Sequence, residues 1–157
     1  MDGKEFTAAS FYEFLAGRKL MGTRCTCDGT VFLPPRAYCP DCASPRRKLP
    51  HTPGSHHVGD SRDGAMEWLE FSGKGMLLTF TIIYIGPAAM IAAGFNRKNP
   101  YCVGIVQLEE GPRISALITG VNPFKPETIA VGSAVSLDIQ ELGPAGAKKP
   151  VLAFHLN

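Results

Sequence analysis

The stretch Cys25–Cys42, CTCDGTVFLPPRAYCPDC, carries four of the five cysteines in a chain of 157 residues. Its second pair, Cys39-Pro40-Asp41-Cys42, has the two-residue spacer that lets a tight turn aim two thiolates at one metal ion. The first pair, Cys25-Thr26-Cys27, is one residue shorter, and Asp28 stands where the matching cysteine would fall. Between the pairs lies GTVFLPPRAY, of hairpin length and strand-forming composition, as a zinc ribbon requires. Three arrangements are open: four thiolates with a distorted first knuckle, Asp28 in place of Cys27, or a metal-free ribbon. Thiolate binds zinc better than carboxylate at neutral pH, so the expected ligands are Cys25, Cys27, Cys39 and Cys42. No open coordination position with a general base beside it is legible, so the expected metal is a structural zinc. A redox reading of Cys39-Pro40-Asp41-Cys42 is weaker, because no helix follows to lower a thiol pKa and two further cysteines accompany it.

Working outward, the segment before the cysteines has Phe11, Phe14 and Leu15 on one face of a short helix within Phe6–Lys19, with Thr7 or Ser10 as its cap. After them comes SPRRKLPHTPGSHHVGDSRDGA, residues 44–65, rich in Pro, Gly, Ser, His and Arg and without hydrophobic period. It reads as a flexible loop and a module boundary. From Met66 the text is strands and turns: MEWLEFSG, GMLLTFTIIYIG, a short AAMIAAGF, then YCVGIVQLEEGPRISALITGV as a hairpin turning at Glu109–Pro112, VGSAVSLDIQEL and PVLAFHL. Strands in this number without an intervening helix point to a small closed barrel. The expected layout is therefore mainly β: helix and ribbon over 1–45, a linker over 46–65, and a barrel over 66–157.

Composition narrows the function classes. Hydrophobic residues are 45% and charged residues 19%, enough apolar material for a core. A net charge of +2 gives little support to a nucleic-acid binder. The N-terminal MDGKEFTAAS lacks a signal-peptide pattern, and the apolar stretch Met76–Phe95 is broken by Gly86, Pro87 and Gly94, so a cytoplasmic protein with no membrane span is expected. In that reducing compartment clustered cysteines favour metal over disulfides. Cys102, in PYCVGIVQL, reads as a core thiol.

The order of features resembles a known family. GTRC, then Phe32, Pro34, Pro35, Arg36, Cys39 and Cys42 of GTVFLPPRAYCPDC, then MEWLEFSGKGMLLTFTIIY, the EEGPRI hairpin and IAVGSAVSLDI are similar to the acyl-CoA-associated zinc-ribbon/OB-fold proteins, first catalogued as a domain of unknown function. The resemblance implies a rubredoxin-like ribbon followed by a five-stranded OB-fold barrel. It also implies a non-catalytic subunit that scaffolds a thiolase-superfamily enzyme, acetyl-CoA acetyltransferase or hydroxymethylglutaryl-CoA synthase among them. Cys25, Cys39 and Cys42 match the family's ligands and Asp28 stands at the fourth. The 44–65 segment is a second departure, placed where the family has a short link.

Three functions compete on these residues. A scaffold fits the ribbon, the barrel and the lack of any Ser or Cys set beside His51, His56, His57 or His155, with Phe11, Tyr12, Phe14 and Leu15 as apolar anchors for the partner. A single-stranded nucleic-acid binder would use Arg46, Arg47 and Lys48 with Trp68, Phe71 and Phe80 for stacking. An enzyme acting directly on an acyl-CoA would set Arg36, Lys74 and Arg97 against phosphates, but isolated surface cations are usually solvated. Any acyl-CoA contact is expected at a surface shared with the partner.

Overall fold

The computed structural model describes residues 4–42, 66–144 and 146–157. The expected 46–65 linker, with its histidines and the Arg46-Arg47-Lys48 patch, lies outside the described residues.

Helix α1 spans Ala8–Ala16, and Thr7 caps it by accepting a hydrogen bond from the Ser10 N–H at 3.2 Å. Its apolar face turns inward. Leu15 is buried and Phe11 packs against the core, while Phe14 and Phe6 meet the Trp68 ring at 5.0 and 5.1 Å. Phe11, Phe14 and Leu15, expected as anchors for a partner, are thus spent largely on internal packing, and Tyr12 alone of the four stands exposed.

Strands β1 (Met21–Cys25), β2 (Val31–Phe32) and β3 (Met66–Glu70) form an antiparallel sheet in the order β2-β1-β3. Pairing of β3 with β1 runs from Met21↔Glu70 to Cys25↔Met66. The strand MEWLE, expected to open the barrel, is instead the third strand of the ribbon sheet. β2 takes one edge of β1 and β3 the other, and the salt bridges Arg24–Glu67 and Lys19–Glu70 flank the β1–β3 pairing. Gly22 lets the Phe71 ring and the β2 backbone pack directly on β1: a Cβ there would lie 2.3 Å from the Phe71 ring and 2.4 Å from the Phe32 carbonyl.

The barrel consists of β4 (Lys74–Ile83), β5 (Tyr101–Leu108), β6 (Arg113–Thr119), β7 (Ala134–Leu142) and β8 (Lys149–Leu156). It closes in the order β4-β5-β6-β8-β7, with β6 and β8 parallel and all other neighbours antiparallel. This is the five-stranded OB-fold arrangement. The Glu109–Pro112 turn joins β5 to β6 as the sequence pattern predicts, helped by Gly111 at φ 106°. AAMIAAGF is not a strand. Ala88–Ala92 is a short helix, α2, started by Pro87. Alanine and methionine favour helix.

Ribbon and barrel share one core. Leu15, Leu20, Leu33 and Phe71 belong to the same cluster as Leu77, Val106, Ile139 and Phe154 inside the barrel. The link between them is pinned by hydrogen bonds. The Ser72 N–H donates to Glu110 Oε1 and the Leu137 N–H to the Gly73 carbonyl, each at 2.6 Å. Among the described residues no helix is long and apolar enough to cross a membrane.

Candidate metal centre

Cys25 ends β1 and enters a turn in which the Gly29 N–H donates to the Cys25 carbonyl and the Cys25 N–H to the Thr30 carbonyl, both at 2.9 Å. A turn of this kind brings residue i+3 back over residue i, and residue i+3 is Asp28. Gly29, at φ 75°, lets the chain reverse into β2. Cys27, at i+2, points away from the turn and is exposed. The first knuckle is therefore Cys-x-x-Asp, with the spacing of the second, Cys39-x-x-Cys42.

The second knuckle is held against the first by the segment Phe32–Arg36. Its Leu33–Pro34 peptide is cis. The Arg36 N–H donates to the Oγ1 of buried Thr23 on β1 at 2.9 Å, and the Arg36 guanidinium lies over the Phe32 ring. The Phe-x-Pro-Pro-Arg motif is thus the strap that carries Cys39 to Cys25.

The two turns bring Cys25, Asp28, Cys39 and Cys42 together, with one ligand atom from each lying within 4.8 Å of every other. The sulfurs of Cys25 and Cys42 are 3.5 Å apart, and Asp28 Oδ2 lies 3.7 Å from Cys39 Sγ and 3.5 Å from Cys42 Sγ. A tetrahedral zinc with Zn–S bonds of about 2.3 Å separates its sulfurs by about 3.8 Å, so the donors stand at the right spacing for it. Cys25 and Cys39 are buried and Cys42 is half-buried, which leaves Asp28 as the solvent-facing corner. Of the expected ligands, Cys25, Cys39 and Cys42 meet and Cys27 does not join them. The legible signal for Asp28 was its i+3 spacing, which outweighs the stronger zinc affinity of a thiolate when that thiolate points elsewhere.

Electrostatics fit a metal-accepting set. Hydrogen bonds from the Thr30 backbone and side chain, and then from Cys25 and Cys42, hold the Asp28 carboxyl well below the usual carboxylate range. The Cys42 thiol is pushed up, first by desolvation and then by hydrogen bonds to Cys25, Cys39 and Asp28 and the Asp28 charge. The pocket thus sets an ionised carboxylate beside a Cys42 thiol that keeps its proton, and binding a divalent cation displaces thiol protons.

Elsewhere, the residues weighed for other chemistry serve the fold. Phe71 is buried, Phe80 packs on the core and Trp68 is held by Phe6 and Phe14, so the aromatics an oligonucleotide needs are engaged internally. His155 is exposed at the end of β8, over Gly120.

Comparison with known proteins places this arrangement. The family profile of the C-terminal OB-fold domain of ChsH2 matches residues 68–140. A DUF35 domain-containing scaffold protein of Methanocaldococcus jannaschii is 33% identical over 130 residues, 81% of this chain and 74% of that protein. This chain belongs to the DUF35 family. Among solved structures, the Ltp2–ChsH2(DUF35) aldolase superimposes on this DUF35 chain with a TM-score of 0.65 at 25% identity, covering 99% of this chain and 98% of that one. A probable enoyl-CoA hydratase alpha subunit of Thermomonospora curvata is 26% identical over 138 residues, 87% of this chain but 34% of that protein.

Proposed function

We infer that the chain is a non-catalytic scaffold subunit in acyl-CoA metabolism. In this reading it docks on a thiolase-superfamily enzyme in the cytoplasm, an acetyl-CoA acetyltransferase or a hydroxymethylglutaryl-CoA synthase, with any CoA contact at their shared surface. The observation that carries this is the end-to-end likeness to the DUF35 chain of a two-protein aldolase assembly. The scaffold name borne by the Methanocaldococcus relative supports the scaffold role, and the hydratase name borne by the Thermomonospora one supports the link to acyl-CoA chemistry. The ribbon's part is structural. Cys25, Asp28, Cys39 and Cys42 would hold one zinc, which cross-links two turns that have little apolar surface of their own.

Affinity purification of the tagged full-length chain with mass spectrometry, followed by recombination of the purified components on size exclusion, tests the assembly. A thiolase-fold enzyme should co-elute with the chain, and the chain alone should leave acyl-CoA esters unchanged. Turnover by the isolated chain, or salt-sensitive binding to single-stranded nucleic acid with no enzyme recovered, would overturn the reading.

A further inference from the structure

The barrel has two unlike outer faces. Side chains alternate in and out along each strand, and a solvated outer face is polar. On β7 it is: Ser136, Asp138 and Gln140 face out, with Asp138 Oδ2 accepting from Thr119 Oγ1 at 2.7 Å and from Gln140 Nε2 at 2.6 Å. On β5, β6 and β8 the outward Tyr101, Val103, Ile105, Leu117 and Val151 form an apolar stripe, with Gln107, Arg113, Ser115, Thr119 and His155 as the polar outward residues beside it. α2 covers one end of this stripe, where Met90 and Phe95 pack on Tyr101 and Leu117. The remainder is a groove of about 620 Å³ between α1 and α2, open along its length, with Tyr12 and Met90 on its walls and Val103, Leu117 and Val151 in its floor. It continues past Ser115 into a second hollow beside Leu78 and Ile105. Apolar side chains stand in solvent along it: Tyr12 is 56% exposed and Ile105 40%.

Charge says what kind of occupant suits it. Arg113 lies where the two hollows meet and is exposed. Among the described residues the ion pairs are Lys4–Glu13, Lys19–Glu70 and Arg24–Glu67, all on the helix and ribbon, so Arg113 has no carboxylate facing it. Arg97 and Lys98, just beyond α2, likewise have none. A small ligand is normally enclosed over most of its surface, which an open trough cannot do, whereas an apolar helix or extended segment of a protein fits one. We propose that this groove is the docking surface for the partner enzyme, taking an apolar segment of it that carries a carboxylate opposite Arg113. This rests on the scaffold reading above and locates its interface on the barrel wall away from the metal centre.

The test uses full-length chain and the thiolase-superfamily enzyme purified with it, with affinity measured by titration at low and high salt. Ile105→Asp should weaken binding by at least about tenfold, because it sets a charge in the second hollow, where the groove continues. Arg113→Glu, at an exposed position that the fold does not need, should weaken binding about tenfold and abolish the salt dependence of the wild type. Ser136→Asp, on the polar β7 face, should bind as wild type. Thermal unfolding of each variant checks the fold, and Arg113→Glu decides the matter if Ile105→Asp proves unstable. A complex whose affinity ignores both groove substitutions overturns this interface and leaves the scaffold reading standing. No enzyme binding by the wild type overturns both. A self-associated chain that Ile105→Asp dissociates, with enzyme binding unaffected, assigns the groove to a second copy and overturns the proposal.

Discussion

Asp28 occupies the position that Cys42 occupies in the second knuckle, and a carboxylate there changes how firmly a metal is held. It is a harder donor than thiolate and it faces solvent, so it is the corner from which a chelator enters. Asp28→Ala should drop zinc, measured by elemental analysis, from about one equivalent to a small fraction, whereas Cys27→Ser should leave it unchanged. Asp28→Cys should slow zinc loss to a chelator. Retention should also fall with pH, and the cysteines set that dependence. The Cys42 thiol holds its proton tightly, so protons compete with zinc there, while Asp28 stays ionised far into the acid range. A second thiol gives an alkaline signature. Burial pushes Cys102 up to about 11 from the ordinary 9.0. The folded state then keeps a proton that the unfolded state has lost, so stability is full below the unfolded pKa and declines as pH rises toward the folded one. Cys102→Ala should cost about 1 kcal/mol from the lost methylene-sized volume and flatten the decline between pH 9 and 11, read from denaturant midpoints.

At the scale of elements, local chemistry determines where each begins and what it can touch. The Thr7 hydroxyl satisfies an otherwise free N–H of α1, and Thr7→Ala should cost about 1 kcal/mol by chemical denaturation. Gly22 is set by contact, not by conformation. A methyl group there would drive into the Phe71 ring and the Phe32 carbonyl, so Gly22→Ala should destabilise the protein by about 1–3 kcal/mol and disturb the ribbon first. α2 illustrates the opposite influence. Its alanines and methionine favour helix over strand, so the segment coils into a short helix over Tyr101.

Across the whole molecule, ribbon and barrel behave as one unit because Leu20, Leu33 and Phe71 sit in the barrel's own core. The lone tryptophan, Trp68, lies on the ribbon's β3, while most strand residues belong to the barrel, so two probes report on the two parts separately. Fluorescence of Trp68 and far-ultraviolet circular dichroism should melt at one temperature, and chelation should lower both midpoints together. A chelator that shifts only the tryptophan transition would mean that the parts unfold independently.

The elements whose pattern is local were legible in the amino-acid order. Thr7 and the Phe11–Leu15 stripe announce α1, the Glu109–Pro112 turn announces the β5–β6 hairpin, and alternating residues announce the barrel strands, because caps, turns and side-chain period act over a few residues. Three of the four clustered donors were legible as well, from the Cys-x-x-Cys spacing and the family pattern around it. Pairing across distance was not. Which sheet takes Met66–Glu70 depends on β1 having an edge to cover, and which of Cys27 and Asp28 turns inward depends on the Gly29 and Cys25 backbone hydrogen bonds. Whether Phe14 faces a partner or Trp68 depends on β3 arriving beside α1. The apolar stripe on the barrel's outer wall was hidden for a related reason. A run such as Tyr101–Val106 is apolar on both faces, and only closure of the barrel decides which half becomes core and which is left to solvent.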